Sequence, residues 1–152
     1  MKPPRPIRIK SPSARRGRKT ARAPRRDLET PIHEAIFQFL TVALLPGSLI
    51  HHSPNELEIT ADPEVRRIVV AKAKRKGMRP GWPDLEAVAV QRDGSWRLFL
   101  IEVKSENGDL SPTQKDVRDA FRRLQIPYCI ARSVRDVEDF LEWERIDTRL
   151  AA

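Results

Sequence analysis

The chain has 152 residues, enough for one domain with a real core and little room for a second. Its single cysteine excludes an intramolecular disulfide and a cysteine-based zinc site, and makes a reducing compartment the default expectation. The net charge is +8, yet residues 1–26 hold eleven Lys or Arg and no acid, while the other 126 residues hold eighteen bases against twenty-one acids. No apolar run approaches the roughly 18–20 residues that cross a bilayer. The opening MKPPRPIRIK also lacks the apolar core of a secretory signal, so no membrane association is expected.

Basicity is thus a property of the first 26 residues, which also carry Pro3, Pro4, Pro6, Pro12 and Pro24 and almost nothing apolar. Such a segment cannot bury enough surface to offset ordering, and it reads as a disordered tail. A flexible polycation favours phosphate-rich partners through counterion release, although a solubilising tail has the same composition. A mitochondrial transit peptide is disfavoured, because the prolines break the helix it needs.

From Asp27 onward the patterning is that of a folded chain. Residues 32–45 put Ile32, Ala35, Ile36, Phe39, Leu40 and Ala43 on one helical stripe, closed by Pro46-Gly47. A short strand is expected over 48–52. Asp62-Pro63 reads as a cap and first position of a helix to Lys76, with Val65, Ile68, Val69 and Lys72 inward and Gly77 as its stop. Strands over 84–90 and 96–104 flank an Asp93-Gly94 turn. Ser111-Pro112-Thr113-Gln114 is a capping box opening a helix to Leu124. PYCIA (127–131) is a buried strand, and Ser133 with Asp136 starts a last helix to Trp143. The order α β α β β α β α predicts an α/β fold, a small mixed sheet flanked by helices.

The hairpin carries the chemistry. Leu98, Leu100, Glu102 and Lys104 alternate onto one face of the second strand, so a face begun by leucines ends in an acid and a lysine. With the hairpin symmetric about Asp93, position 90 opposes 96 and Asp84 opposes Glu102. Opposed Cβ atoms lie about 4.5–5.5 Å apart, and like charges there repel. Two readings remain open: an Asp-Glu-Lys salt-bridge cluster, or a Mg²⁺ site built from oxygen ligands.

Pro83-Asp84 followed by Glu102-Val103-Lys104 resembles the PD-(D/E)XK nuclease motif. GMRPGWPDLEAV (77–88), FLIEVKSENGDLSPTQ (99–114) and HHSPNE (51–56) resemble the VRR-NUC family within that superfamily, over residues 29–145. The resemblance implies a restriction-endonuclease-like core over 27–152 and a phosphodiesterase using Mg²⁺, or Mn²⁺ in its place. Asp84, Glu102 and the main-chain carbonyl of Val103 would hold the ion, which polarises the scissile phosphate and activates water. Lys104 would orient that water or neutralise charge growing on the phosphate. Glu29, Ile32, His33 and Ala35 match a family pattern at the first helix, which would make Glu29 an outer metal ligand rather than a plain helix-start acid. Gln114 matches a glutamine near the active site, besides its capping role. Compact stand-alone members act as dimers on branched DNA, so the resemblance implies a homodimer, a junction-resolving role and a cytoplasmic, nucleoid-associated setting in a bacterial or phage-infected cell.

Further residues have two readings each. His51 and His52 point to opposite faces of a strand and cannot share an ion; His52, with Asn55, is the expected substrate contact. Lys72, Lys74, Arg75, Lys76 and Arg79 suit either a nucleic-acid backbone or the negative end of a helix. Trp82 and Trp96 are expected in the core rather than as stacking platforms. Two rival functions stay open: a nucleic-acid-binding protein that kept the fold without the chemistry, and a basic structural component of a nucleoprotein particle.

Overall fold

Eight elements follow one another in a computed structural model that describes residues 28–53 and 62–150. Residues 1–26 and Asn55, with the expectations placed on them, lie outside the described residues. The elements are α1 (Thr30–Ala43), β1 (Leu49–His52), α2 (Pro63–Arg75), β2 (Leu85–Val90), β3 (Trp96–Val103), α3 (Pro112–Arg123), β4 (Tyr128–Ala131) and α4 (Val134–Trp143). Side chains set several of the boundaries. Asp62 Oδ1 accepts from the Glu64 and Val65 amides at 2.8 and 3.4 Å, and Gly77 leaves α2 at φ +97°. Ser111 and Gln114 close a reciprocal capping box on α3, and Ser133 Oγ accepts from the Asp136 amide on α4.

One sheet holds all four strands in the order β1-β2-β3-β4, antiparallel except for the parallel β3–β4 pair. This is the mixed α/β sheet that the alternation of elements predicts. The hairpin register runs from Val90 opposite Trp96 to Leu85 opposite Ile101, so each opposed pair keeps the symmetry about Asp93. Asp84 lies one residue before β2, at the end of the sheet where Glu102 sits in β3.

The two faces differ. Leu85, Ala87 and Ala89 join Phe99, Ile101, Val103, Cys129 and Ala131 on one side, packed by Ile36 and Leu40 of α1 and Val137 and Leu141 of α4. All of these are buried, and they form the apolar core. On the other side lie His51, Glu86, Leu98, Leu100, Glu102 and Tyr128, covered in part by α3. There Phe121 of α3 meets Trp82 and Tyr128 with ring centroids 5.0 and 6.3 Å apart.

The expected inner side of α2 is not buried. No residue of α2 reaches the core, and Val65 and Ile68 are exposed. Helical periodicity shows that a helix has an apolar side; it does not show that anything packs there. Ala35 and Trp96, both expected inside, are exposed as well.

Candidate active site

Three chain segments converge at the end of the sheet where β3 finishes and β2 begins. Glu102, on β3, is fully buried. Its Oε1 accepts from Lys104 Nζ at 2.7 Å and from the side-chain amide of Gln114, and its Oε2 lies 3.5 Å from the Tyr128 hydroxyl. Burial and, next, the negative charge of Asp84 push the Glu102 pKa up to about 7. The tyrosine hydroxyl is raised as well, by burial first and then by Glu102.

Asp84 is partly exposed and anchored through both backbone and side chain. Its Oδ2 accepts from the Val103 amide at 2.8 Å, which ties the start of β2 to the end of β3. Its carbonyl accepts from the Ser53 amide at 2.9 Å. Oδ1 keeps no hydrogen-bond partner among the described residues. The carboxylate is thus fixed in direction through one oxygen.

Lys104 is buried between acids. Besides Glu102, its ammonium lies 3.8 Å from Glu29 Oε2. Burial pulls its pKa down, but the hydrogen bond and charge of Glu102, with Glu29 and Asp84, hold it above the ordinary lysine value. It remains an ammonium at neutral pH. Glu29 reaches it from the N-cap of α1, where its side chain makes no capping bond and instead accepts from the Ser105 amide at 3.1 Å.

Gln114 shows how one side chain serves two ends. Its Oε1 accepts from the Ser111 amide at 2.8 Å, completing the capping box, while its Nε2 donates to Glu102. An amide carries both an acceptor and a donor, so the structural task leaves the other group available. The N-termini of α1 and α3 therefore both lie at this end of the sheet, and helix N-termini favour anions.

Several contributors carry no motif that sequence reasoning would single out. The loop after Lys104 is clamped by Arg132, whose Nε and Nη2 donate to the carbonyls of Glu106 and Gly108 at 3.2 and 2.9 Å. A Cβ on Gly108 would stand 2.9 Å from Ser105 Oγ and 3.2 Å from Glu29 Oε1, so a side chain there would push both aside. Gly81, inside GWPD, has φ +79°, and a Cβ there would lie within 2.5–2.7 Å of the Thr113–Gln114 backbone. The segment leading to Asp84 thereby packs directly on the turn that delivers Gln114. The glycine of GWPD was a visible signal; the arginine, distant in sequence, had none.

The remaining sequence expectations scatter around this centre. His52 lies on the core face, its ring 4.7 Å from that of His33 and its Nδ1 3.2 Å from the Asp84 carbonyl. His33 Nε2 is buried without a hydrogen-bond partner, and burial, then His52, lowers its pKa. It is His51, opposite Glu86, that shares a face with Glu102. Lys74 and Arg75 are exposed in the last turn of α2, and Lys76 and Arg79 line a cleft of about 440 Å³ beside Trp82.

Comparison with known proteins agrees with this architecture. No curated protein sequence matches significantly. A solved "VRR_NUC domain protein" superposes with a TM-score of 0.56 at 20% identity, covering 79% of this chain and 90% of that one. A second solved structure, a "VRR_NUC domain", gives 0.47 at 20% identity over 76% and 95% of the two chains. The family profile of the VRR-NUC domain matches residues 26–135. The chain therefore belongs to the VRR-NUC family and carries a nuclease-type domain.

Proposed function

We propose that the protein is a DNA endonuclease that hydrolyses phosphodiester bonds with Mg²⁺ or Mn²⁺, its active form a homodimer working on branched DNA. One observation supports this most: a wholly buried glutamate stands beside a second carboxylate and a buried lysine. Desolvating an acid is costly, and placing another acid beside it adds to the cost. A binding protein without chemistry has no use for that arrangement.

The donor set suits a hard divalent ion. Asp84 and Glu102 offer carboxylate oxygens, and the Val103 carbonyl and Glu29 would complete or border the shell. Among the described residues no three His, Cys, Asp or Glu side chains form a metal-holding group, so the ligand shell would rely on main-chain oxygen and water. When bound, the ion would supply Lewis-acid polarisation of the phosphate and a more acidic water.

The chain's own groups have distinct tasks. Because Lys104 stays charged, it acts by electrostatics rather than as a base: it orients water and offsets negative charge growing on the phosphate. Gln114 and Tyr128 steer the Glu102 carboxylate. The positive ends of α1 and α3 add attraction for the phosphate. Residues 1–26 add a sequence-independent hold on DNA, and Lys74, Arg75, Lys76 and Arg79 would contact it closer to the site.

The test is Asp84→Asn. Metal-dependent nicking disappears while circular dichroism and thermal midpoint remain those of a folded protein. Nicking at the wild-type rate would refute the assignment.

A further inference from the structure

His52 lies on the face away from Glu102, yet it touches the other carboxylate residue of the site. We infer that His52 is a positioning residue: its imidazole donates a hydrogen bond from Nδ1 to the Asp84 carbonyl and so fixes the main chain from which that carboxylate projects. The inference rests on the nuclease reading above and deepens it.

The regular ladder stops just short of Asp84. β2 begins at Leu85, which pairs with His52 on one side and Ile101 on the other. One residue earlier, individual hydrogen bonds take over. The Ser53 amide donates to the Asp84 carbonyl at 2.9 Å, and His52 Nδ1 lies 3.2 Å from the same oxygen. The Val103 amide donates to Asp84 Oδ2 at 2.8 Å. A carbonyl oxygen has two lone pairs and can accept from both Ser53 and His52. Asp84 is thereby tied to one neighbouring strand through its backbone and to the other through its side chain. The hold matters because Asp84 and Glu102 are like charges, and repulsion favours any backbone rotation that parts them.

The acceptor also decides which ring nitrogen carries the proton. A carbonyl can only accept, so Nδ1 is the N–H, and the uncharged ring keeps its lone pair on Nε2.

His33 keeps that ring in place. It comes from the first turn of α1, where its amide donates to the Glu29 carbonyl at 2.9 Å. Its ring meets that of His52 at 76°, with centroids 4.7 Å apart. The start of α1 thus braces Asp84 from two directions: Glu29 reaches Lys104 and Ser105 at the end of β3, and His33 reaches His52 at the end of β1. Since His52 pairs with Leu85 of the core, its ring stands behind the carboxylates rather than among them, a place for support and not for contact with DNA.

The experiment compares His52→Asn, His52→Gln and His52→Ala in the full chain. His52 is exposed, so these changes spare the core. Asparagine carries an amide N–H where imidazole has Nδ1, glutamine places its amide one bond farther out, and alanine has no donor. In metal-free protein, long-range nitrogen NMR of the uncharged ring shows the Nδ1–H tautomer. Hydrogen exchange at the Val103 amide, which Asp84 holds, quickens in His52→Ala and His52→Gln but not in His52→Asn. Affinity for Mn²⁺ alone, read from the EPR signal of the free ion, falls about tenfold in the first two and stays within about twofold in the third, the scale for losing a partner behind a metal ligand. In nicking assays kcat falls in the same order while KM for DNA is unchanged. An Nε2–H tautomer, or an asparagine variant no better than alanine, would overturn the inference. If wild type binds no Mn²⁺ and Val103 exchange still separates asparagine from alanine, the nuclease reading fails and the hold on Asp84 stands. Metal-dependent nicking that is lost in Asp84→Asn but indifferent to every change at His52 would do the reverse.

Discussion

The two faces of the sheet are made by the same strands and obey opposite rules. On one, Leu85, Phe99, Ile101, Val103 and Ala131 meet α1 and α4 and bury apolar surface only. On the other, one residue along the same strands, Asp84, Glu86, Glu102 and Tyr128 stand where a core would have placed leucine or valine. The first face holds the fold together. The second holds charges at a cost in stability that the first must cover, which is how sites for chemistry are usually maintained. Their separation by a single residue of register means that neither can be shifted without destroying both.

The largest effect should come from the core face. Phe99, fully buried and 5.7 Å from the Phe140 ring, truncated to alanine should cost about 3–5 kcal/mol in denaturant unfolding. Any loss of activity should then track the unfolded fraction, and a folded but inactive Phe99→Ala protein would break the division of labour between the faces.

Next is Lys104→Ala on the opposite face. It should lower kcat by about 10²–10³ with DNA affinity in gel shifts nearly unchanged, the pattern of a group that acts in the transition state. A defect confined to affinity would reassign the lysine to substrate binding.

Glu102 sharpens the comparison through pH. Its folded pKa, about 7, lies above the unfolded value of 4.5, so its contribution to stability is fully present below about 4.5 and is lost as pH rises through 7. The thermal midpoint of metal-free wild type should therefore decline across the neutral range relative to Glu102→Gln, which has no such group to ionise. Mg²⁺ at pH 8 should raise the wild-type midpoint and leave that of the variant unmoved. Parallel pH curves for the two proteins would show that Glu102 is not under this strain.

Arg132→Ala should give the smallest effect. Releasing the Glu106 and Gly108 carbonyls should cost about 1 kcal/mol or less, since the guanidinium is exposed. It should nevertheless reduce kcat several-fold and speed hydrogen exchange at the Ser105 amide, which Glu29 would then hold less firmly. Arg132→Lys should restore part of both. A midpoint shift without those two changes would make the arginine a purely structural tie.

Much of this was legible beforehand because it is local. Caps at Asp62, Ser111 and Ser133 depend on hydrogen bonds spanning two or three residues. The hairpin register follows from one turn and a period of two, and it was enough to bring Asp84 to Glu102. Residues tied only through space left no trace: Arg132 reaches its carbonyls from 24 and 26 positions away. The histidines divided as a strand requires, but which of them met the face of Glu102 depended on pairing with β2, and that place fell to His51.

By itself, then, the sequence determined the element order, the mixed α/β class, the separation of a basic segment from a balanced domain, and the pairing of two acids with a lysine. Each rests on periodicity, caps or composition, which act over a few residues. Only the tertiary structure decided that Glu29 turns from its helix cap to Ser105, that α2 leaves its apolar side unburied, and that Trp82 walls a cleft instead of filling the core. Those outcomes hang on which surfaces find a partner across the fold, and contact between distant segments is not written into either one alone.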